Sequence, residues 1–334
     1  MSIMQQKKWW KLLFILILLG ILYYTFRDSM GDILQQLAAT PLYLLVLISL
    51  CPVGYLLLEG HIVWLIAHRN TSSFTYGNGT KNAFCCAFYR VATLGSGSGV
   101  AGIYYLNKVG IPIANATGMV LFQYTLHKAS MSLYSLIMLL LQFSFIKKTY
   151  DSYIHYIFVG FLLTILIAGV LLSVTLIPQV QNWYQFLSRK IIERNPKWED
   201  KLEKIGTQLA LLQSEGSAIA KDKVLLLRIV LTNLAKFSCW YIIPFIILHS
   251  QTELTLLQTL TVTSLVLSLA GVIPTPAGIG SIEALFLLLY SRLISQSLAA
   301  SAMLLFRYAT MLLPCILGGV IILIEKLKEK NRTA

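Results

Sequence analysis

Charge is scarce in this 334-residue chain, and acidic charge is scarcest: 12% of residues are charged, with 14 Asp and Glu against 27 Lys and Arg. A soluble globular domain carries about a quarter charged residues, so that class is excluded. With 57% hydrophobic residues and a mean hydropathy of +0.71, the composition is that of a polytopic membrane protein. The five cysteines have neither C-x-x-C spacing nor a histidine cluster beside them, which removes a zinc centre and leaves small buried hydrophobes as their reading. No Walker motif is present, so ATP hydrolysis by this chain is not expected. No nucleophile elbow is present either; a Ser281, His127 and Glu59 triad can be assembled only on paper. No catalytic residue, metal ligand or cofactor site is therefore assigned.

What the chain does have is apolar length. Residues 12–26, 42–67, 119–145, 154–177, 224–248, 256–273 and 302–324 form hydrophobic runs, mostly near the roughly 20 residues that cross a hydrocarbon core. The first is short, but Trp9, Trp10, Tyr23 and Tyr24 suit the interfacial belts, and no small-residue cleavage site follows it. It reads as a retained helix. Lys7, Lys8 and Lys11, the loop from Arg189 to Lys204, and the tail with Lys326, Lys328, Lys330 and Arg332 carry the positive charge. By the positive-inside rule all three are expected in the cytoplasm, together with both termini. An even number of crossings then requires the short run 284–294 as an eighth; the alternative, a re-entrant hairpin there, would place the C-terminus outside, against its charges. The net charge of +13 is accounted for by this rule and by anionic lipid, and no nucleic-acid partner is implied.

The expected fold is an all-α polytopic integral membrane protein, with about eight transmembrane helices in two halves. The halves are residues 1–179 and 223–334, joined by the polar segment 180–222. In that segment Trp198, Leu202, Ile205, Leu209 and Leu212 recur on one helical face, the pattern of an amphipathic surface helix; a plain solvated connector is the alternative. Each half contains one glycine-rich interruption. The first, near residues 83–110, includes LGSGSGVAG at 94–102 and favours a broken or re-entrant helix. The second is GVIPTPAGIGSIE at 271–283. A broken backbone in lipid leaves unsatisfied N–H and C=O groups, so such breaks belong against protein or water. Paired interruptions in two halves point to a transporter site between them. The crossing count starts both breaks from the same side, as in a parallel repeat.

Ionisable groups inside spans disfavour insertion by roughly 2.5–3.5 kcal/mol each, so each needs a partner or a purpose. Here they are Glu59, His61, Arg90, His127, Lys128, Lys236, Glu283 and Arg307. Basic groups exceed carboxylates. If they converge, Glu59 and Glu283 pair with two of them, and the remainder offers positive charge to an anion such as a lipid phosphate; helix-to-helix ion pairs and snorkelling side chains are the alternative. In the second break, Pro274 and Pro276 end the preceding helix, and Gly278 and Gly280 permit left-handed backbone. Ser281 is expected to cap a helix beginning near Ile282, with Glu283 in its first turn and free N–H groups available to an anion. A break that only shapes packing is the competing reading. Ser96 and Ser98 are assigned to turn chemistry ahead of head-group binding.

The segment VIPTPAGIGSIEALF, residues 272–286, resembles the P-x-P-x-G-x-G-x-x-E signature of the flippase-like membrane region of lysylphosphatidylglycerol synthases, the multiple-peptide-resistance-factor family. The block 90–116, with LGSGSGVAGIYYLNKVGIPIANA, is similar to that family's other landmark. The resemblance implies a bacterial plasma-membrane protein that moves an anionic or aminoacylated phospholipid, such as lysyl-phosphatidylglycerol, between leaflets and so contributes to resistance to cationic antimicrobial peptides. By motif match it carries over Pro274, Pro276, Gly278, Gly280 and Glu283. Arg90 is carried over too, although Ser96–Gly99 stand where an acidic neighbour is usual. The family name also implies phosphatidylglycerol lysyltransferase activity. Aminoacyl transfer needs a folded soluble domain, and residues 180–222 are too few for one. Synthesis is therefore expected from a separate enzyme, and a non-transporting partner of an envelope enzyme is the third reading.

Overall fold

The computed structural model describes residues 35–333 together with Gly31; the first expected span, at 12–26, lies outside the described residues. All the regular structure among the described residues is helical. The chain runs through α1 (Leu42–Asn70), α2 (Tyr76–Ala92), α3 (Ser98–Lys108), α4 (Ile113–Leu141), α5 (Phe143–Thr149), α6 (Ile154–Leu176), α7 (Pro178–Arg194) and α8 (Glu199–Lys221). It continues through α9 (Lys223–Tyr241), α10 (Ile243–Leu248), α11 (Leu256–Ala270), α12 (Ser281–Tyr290), α13 (Gln296–Arg307) and α14 (Leu313–Thr333).

Among the described residues four segments are long and apolar enough to cross a membrane: Leu42–Arg69, Asp151–Leu176, Lys223–Leu248 and Gln296–Lys328. A fifth is α4, continued by α5 after an 80° bend. Most of α6 faces outward with exposed Val159, Leu162, Leu166 and Val170, an arrangement that is favourable in lipid and unfavourable in water.

The runs expected as two crossings, 256–273 and 284–294, are instead the arms α11 and α12 of one hairpin. Fifteen and ten helical residues are too short to span a core about 30 Å thick. The Tyr290 hydroxyl, at the end of α12, lies 2.7 Å from Thr263 Oγ1 in the middle of α11, which fixes the arms side by side. The first interruption likewise folds α2 and α3 into a hairpin.

The hairpins open toward opposite ends of the molecule. One apolar core joins Ile48 of α1 to Leu139, Ile157, Val262, Phe286 and Ala299; the other joins Ile62 and Ala67 of α1 to Leu106, Ile111, Leu212, Ile219 and Ile229. The bases of α2 and α3 therefore lie at the end occupied by α8, and the bases of α11 and α12 at the other. This arrangement replaces the parallel one expected from counting crossings, because a hairpin returns the chain to its own side and adds no crossing. Both basic segments that follow Pro178 share the α8 end: Lys81 of α2 pairs with Glu325 of α14 at 3.3 Å, beside Lys326 and Lys328.

Residues 180–222 form the paired helices α7 and α8. Trp198, just before α8, and Ile205 in its first half are exposed, while Leu212, Gly216 and Ile219 dock between α4 and α6. Arg69 of α1 pairs with Glu215 at 3.0 Å and ties α8 to the bundle.

Helix α2 is held between α1 and α14 by glycine contacts. A Cβ on Gly79 would lie 2.2 Å from the Gly60 carbonyl oxygen, and one on Gly318 would lie 2.2 Å from that of Phe84. Backbone cannot retreat as a side chain can, so Gly79→Leu is expected to destabilise by at least the ~1–3 kcal/mol of core overpacking. Gly169→Leu, where nothing lies within 4 Å of an added Cβ, is the control. Thermal unfolding in detergent checks this; equal midpoints for the two variants would show that the α1–α2 crossing is not tight.

Candidate functional site

Each hairpin tip is an irregular turn with one non-glycine residue in left-handed backbone. These are Leu94 and Ala277, both at φ 53°, the only such residues among those described. In the first tip, Gly95 N donates to Arg90 O at 2.6 Å and Leu94 N to Val91 O at 3.2 Å, the Schellman closure that satisfies the last carbonyls of α2. Thr93 Oγ1 donates to Tyr89 O and accepts from Gly97 N, both at 2.6 Å. Left-handed backbone at a non-glycine residue costs about 1–2 kcal/mol, so both turns hold local strain.

In the second tip the helix N-terminus is capped differently from the expectation. Gly280, at φ 84°, is the cap residue, and its N–H donates to Glu283 Oε2 at 2.8 Å. Ser281 is instead the first helical residue, with its hydroxyl 2.7 Å from Thr275 Oγ1. The carboxylate reaching back occupies an N–H that was expected to await an anion. Pro274 precedes the turn and Pro276 opens its short helical segment, ending at Gly278.

The two tips touch: a Cβ on Gly95 would stand 3.1 Å from the Ala277 nitrogen. Beside this contact lies a cavity of about 430 Å³, lined by residues of α1 to α4, α9, α11 to α14 and both tips, among them Glu59, Arg90, His127, Lys128, Trp240 and Arg307. A smaller hollow of about 150 Å³ shares Arg90, His127 and Lys128 and reaches Gly271 and Gly278 of the second tip.

Two of the four spare basic groups are neutralised. Lys236, 1% exposed, directs its ammonium to Glu59 Oε2 at 2.6 Å, Asn233 Oδ1 at 2.6 Å and His127 Nδ1 at 3.1 Å. Three donors thus meet three acceptors, which requires the neutral histidine tautomer protonated on Nε2. Gln123 Nε2 donates to the other Glu59 oxygen at 2.8 Å. The network joins α1, α4 and α9, and its completeness is what makes burying the charge tolerable. Arg307, 6% exposed, donates from Nε to Glu283 Oε1 at 2.7 Å and joins α13 to the second tip. A π-helical turn, Tyr308–Leu312, follows it immediately.

Arg90 and Lys128 have no ion pair among the described residues, and both line both hollows. The Lys128 ammonium stands 3.1 Å from where a Gly271 Cβ would be, so the first glycine of the second break makes room for it. Of the sequence-assigned residues, Glu59, Arg90, Lys128 and Arg307 line the cavity, while Lys236 and Glu283 brace its wall. His61 is elsewhere, between Trp64 and Tyr76. Ser98 lines the cavity; Ser96 bonds within its own turn, to Thr93 O at 2.8 Å.

Sequence reasoning missed Gln123, Asn233, Asn82 and Tyr55. Each sits three or four residues from a site residue or a cavity-lining neighbour on the same helix face: Gln123 before His127, Asn233 before Lys236, Tyr55 before Glu59 and Asn82 before Cys86. Uncharged polar residues in apolar spans, read at helical spacing from the charged ones, carry that signal. Asn82 also ties the first hairpin, donating to Gly102 O at 3.1 Å.

Among the described residues no cluster of His, Cys, Asp or Glu is suited to a metal ion. No curated protein matches the chain. The family model described as the lysylphosphatidylglycerol synthase TM region matches residues 9–318, both hairpins and the cavity included, and the chain belongs to that family.

Proposed function

We propose that this protein moves a phospholipid with an anionic or aminoacylated head group between membrane leaflets, with a separate enzyme making the lipid. The observation that carries this reading is the pair of unneutralised cations, Arg90 and Lys128, in a cavity at the meeting point of two hairpins that open to opposite ends. A cation in a span is unfavourable without a partner, and a lipid phosphate arriving in the cavity supplies one by charge-assisted hydrogen bonding. The contact between the tips separates the two ends, so a small relative shift of the hairpins would transfer access from one to the other. The basic linker and tail share one end, which the positive-inside rule assigns to the cytoplasm of a plasma membrane. Export of an aminoacylated lipid would lower the negative charge of the outer surface and with it the attraction of cationic peptides.

The test is leaflet exchange in liposomes containing labelled phosphatidylglycerol or lysyl-phosphatidylglycerol. The native protein is expected to accelerate exchange of at least one, and Arg90→Gln to slow it by about tenfold or more, the loss of one charge-assisted contact. No acceleration with either lipid would sink the proposal.

A further inference from the structure

Away from the hairpin tips, a hollow of about 300 Å³ opens where α6 ends, α7 begins and α8 packs against both. Its polar lining is Thr175 of α6, Gln181 of α7 and Gln213, Ser214 and Ser217 of α8. The walls are tied together. A Cβ on Gly216 would lie 2.2 Å from Thr175 Cγ2, so α6 and α8 already touch beside the hollow, and Gln213 Nε2 donates to Ile177 O at 2.9 Å, fastening α8 to the α6–α7 corner.

Much of the hydrogen-bonding capacity of this lining is uncommitted. The Gln181 amide and the Ser214 hydroxyl bond nothing among the described residues, and Gln213 keeps its Oε1. Thr175 and Ser217 donate their hydroxyl protons to Leu171 O at 2.6 Å and Ser214 O at 3.3 Å, which leaves their lone pairs free. Amides and hydroxyls present donors and acceptors side by side.

No Lys, Arg, His, Asp or Glu among the described residues lines the hollow. A phosphate there would lack the cation that strengthens its hydrogen bonds, and an ammonium would lack both a carboxylate and an aromatic face. The complement of an uncharged lining of mixed donors and acceptors is a set of hydroxyls, each of which donates and accepts. The volume is at the lower end of the roughly 300–1,000 Å³ of ligand sites, room for about one sugar ring. Pro178 and Ala210 offer apolar wall to the C–H face of such a ring.

The surroundings point to a lipid ahead of a free sugar. Leu176 lines the hollow and is exposed, as is Ile177 beside it. Along α6 the exposed residues Val159, Leu162, Leu166 and Val170, at steps of three, four and four, lead toward them. Hydrocarbon attached to a head group in the hollow would lie on the apolar surface that α6 turns to the bilayer. We infer that this hollow binds the head group of an uncharged glycolipid, a diacylglycerol bearing one hexose, in the leaflet at the α8 end. The site is separate from the cavity at the tips, and its assignment does not depend on the transport reading.

Native mass spectrometry of the full chain released from nanodiscs tests it. Monoglucosyl-diacylglycerol is expected to stay bound about tenfold or more better than diacylglycerol without the sugar, the worth of two or more hydrogen bonds. The double variant Gln181→Leu, Ser214→Leu, both on open helix surface, is expected to lose the glucolipid by a similar factor, with an unfolding midpoint like that of the native chain showing that it is folded. The inference is overturned by diacylglycerol held as well as the glucolipid, or by a folded double variant that keeps the glucolipid. It is overturned equally if phosphatidylglycerol, or free methyl glucoside, displaces the glucolipid at equal concentration. Leaflet exchange enters none of these measurements, so this inference and the transport reading fail separately.

Discussion

Lys236→Met is expected to destabilise the protein by about 3–5 kcal/mol, among the largest effects of any single substitution, because it removes one member of a buried pair and strands the other. Glu59 would keep only Gln123 on one oxygen, while Asn233 Oδ1 and His127 Nδ1 would lose their donor. Methionine matches the length and apolar stem of lysine, so the loss is one of charge and hydrogen bonds rather than of volume. Restoring neutrality with the double variant Lys236→Met, Glu59→Gln is expected to recover part of the stability. It does not recover all, since the polar groups of Asn233 and His127 stay unpaired. Urea unfolding followed by tryptophan fluorescence checks both steps, with Trp240 reporting because it stacks on Tyr55 at 3.9 Å between centroids, above the network. A single variant within 1 kcal/mol of the native protein would show that Glu59 finds other compensation, such as protonation.

Much of this network was legible in the sequence. The charges at 59, 90, 128, 236, 283 and 307 could be assigned to one polar region because lipid tolerates none of them separately, and their surplus of positive charge was countable. The break at 271–283 was legible because two prolines and three glycines cannot continue a helix. Pairing was not legible: whether Glu59 meets Lys236, Lys128 or Arg90 depends on the rotation of α1, α2, α4 and α9 about their axes, which hydropathy leaves undetermined. The hairpin character of 256–290 stood only as the alternative to two crossings, because hydropathy reports apolar length and not direction, and two short apolar runs across a turn look like two crossings. Glycines 60, 79 and 318 were passed over in the sequence, since a glycine that lets helices approach closely is recognisable only once its neighbour is known. The cap of α12 shows a subtler limit. Ser281 and Glu283 both have cap chemistry, and the choice fell to Glu283 because Gly280 adopts a positive φ and occupies the cap position itself.

Glu283→Gln is the second substitution expected to act strongly, and it separates the two tasks of this carboxylate. One oxygen holds Gly280 N–H and so closes the second tip; the other neutralises Arg307. Glutamine has one acceptor for these two donors, so either the cap or the arginine is left bare, and its amide N–H₂ then faces a donor. The expected destabilisation is about 3–5 kcal/mol, the range for breaking a buried pair from one side. It should exceed that of Arg307→Met, which removes the buried charge itself and leaves Glu283 27% exposed with its cap intact. Leaflet exchange is expected to fall to the protein-free rate in Glu283→Gln, because the tip that meets Gly95 loses its fixed geometry. The cavity of this variant also gains a third unneutralised cation, so anionic lipid should raise its unfolding midpoint more than it raises that of the native protein, by mass action on the folded state. A Glu283→Gln protein as stable as Arg307→Met, or one that phosphatidylglycerol stabilises no more than the native chain, would mean that Arg307 is not held by this carboxylate in the membrane.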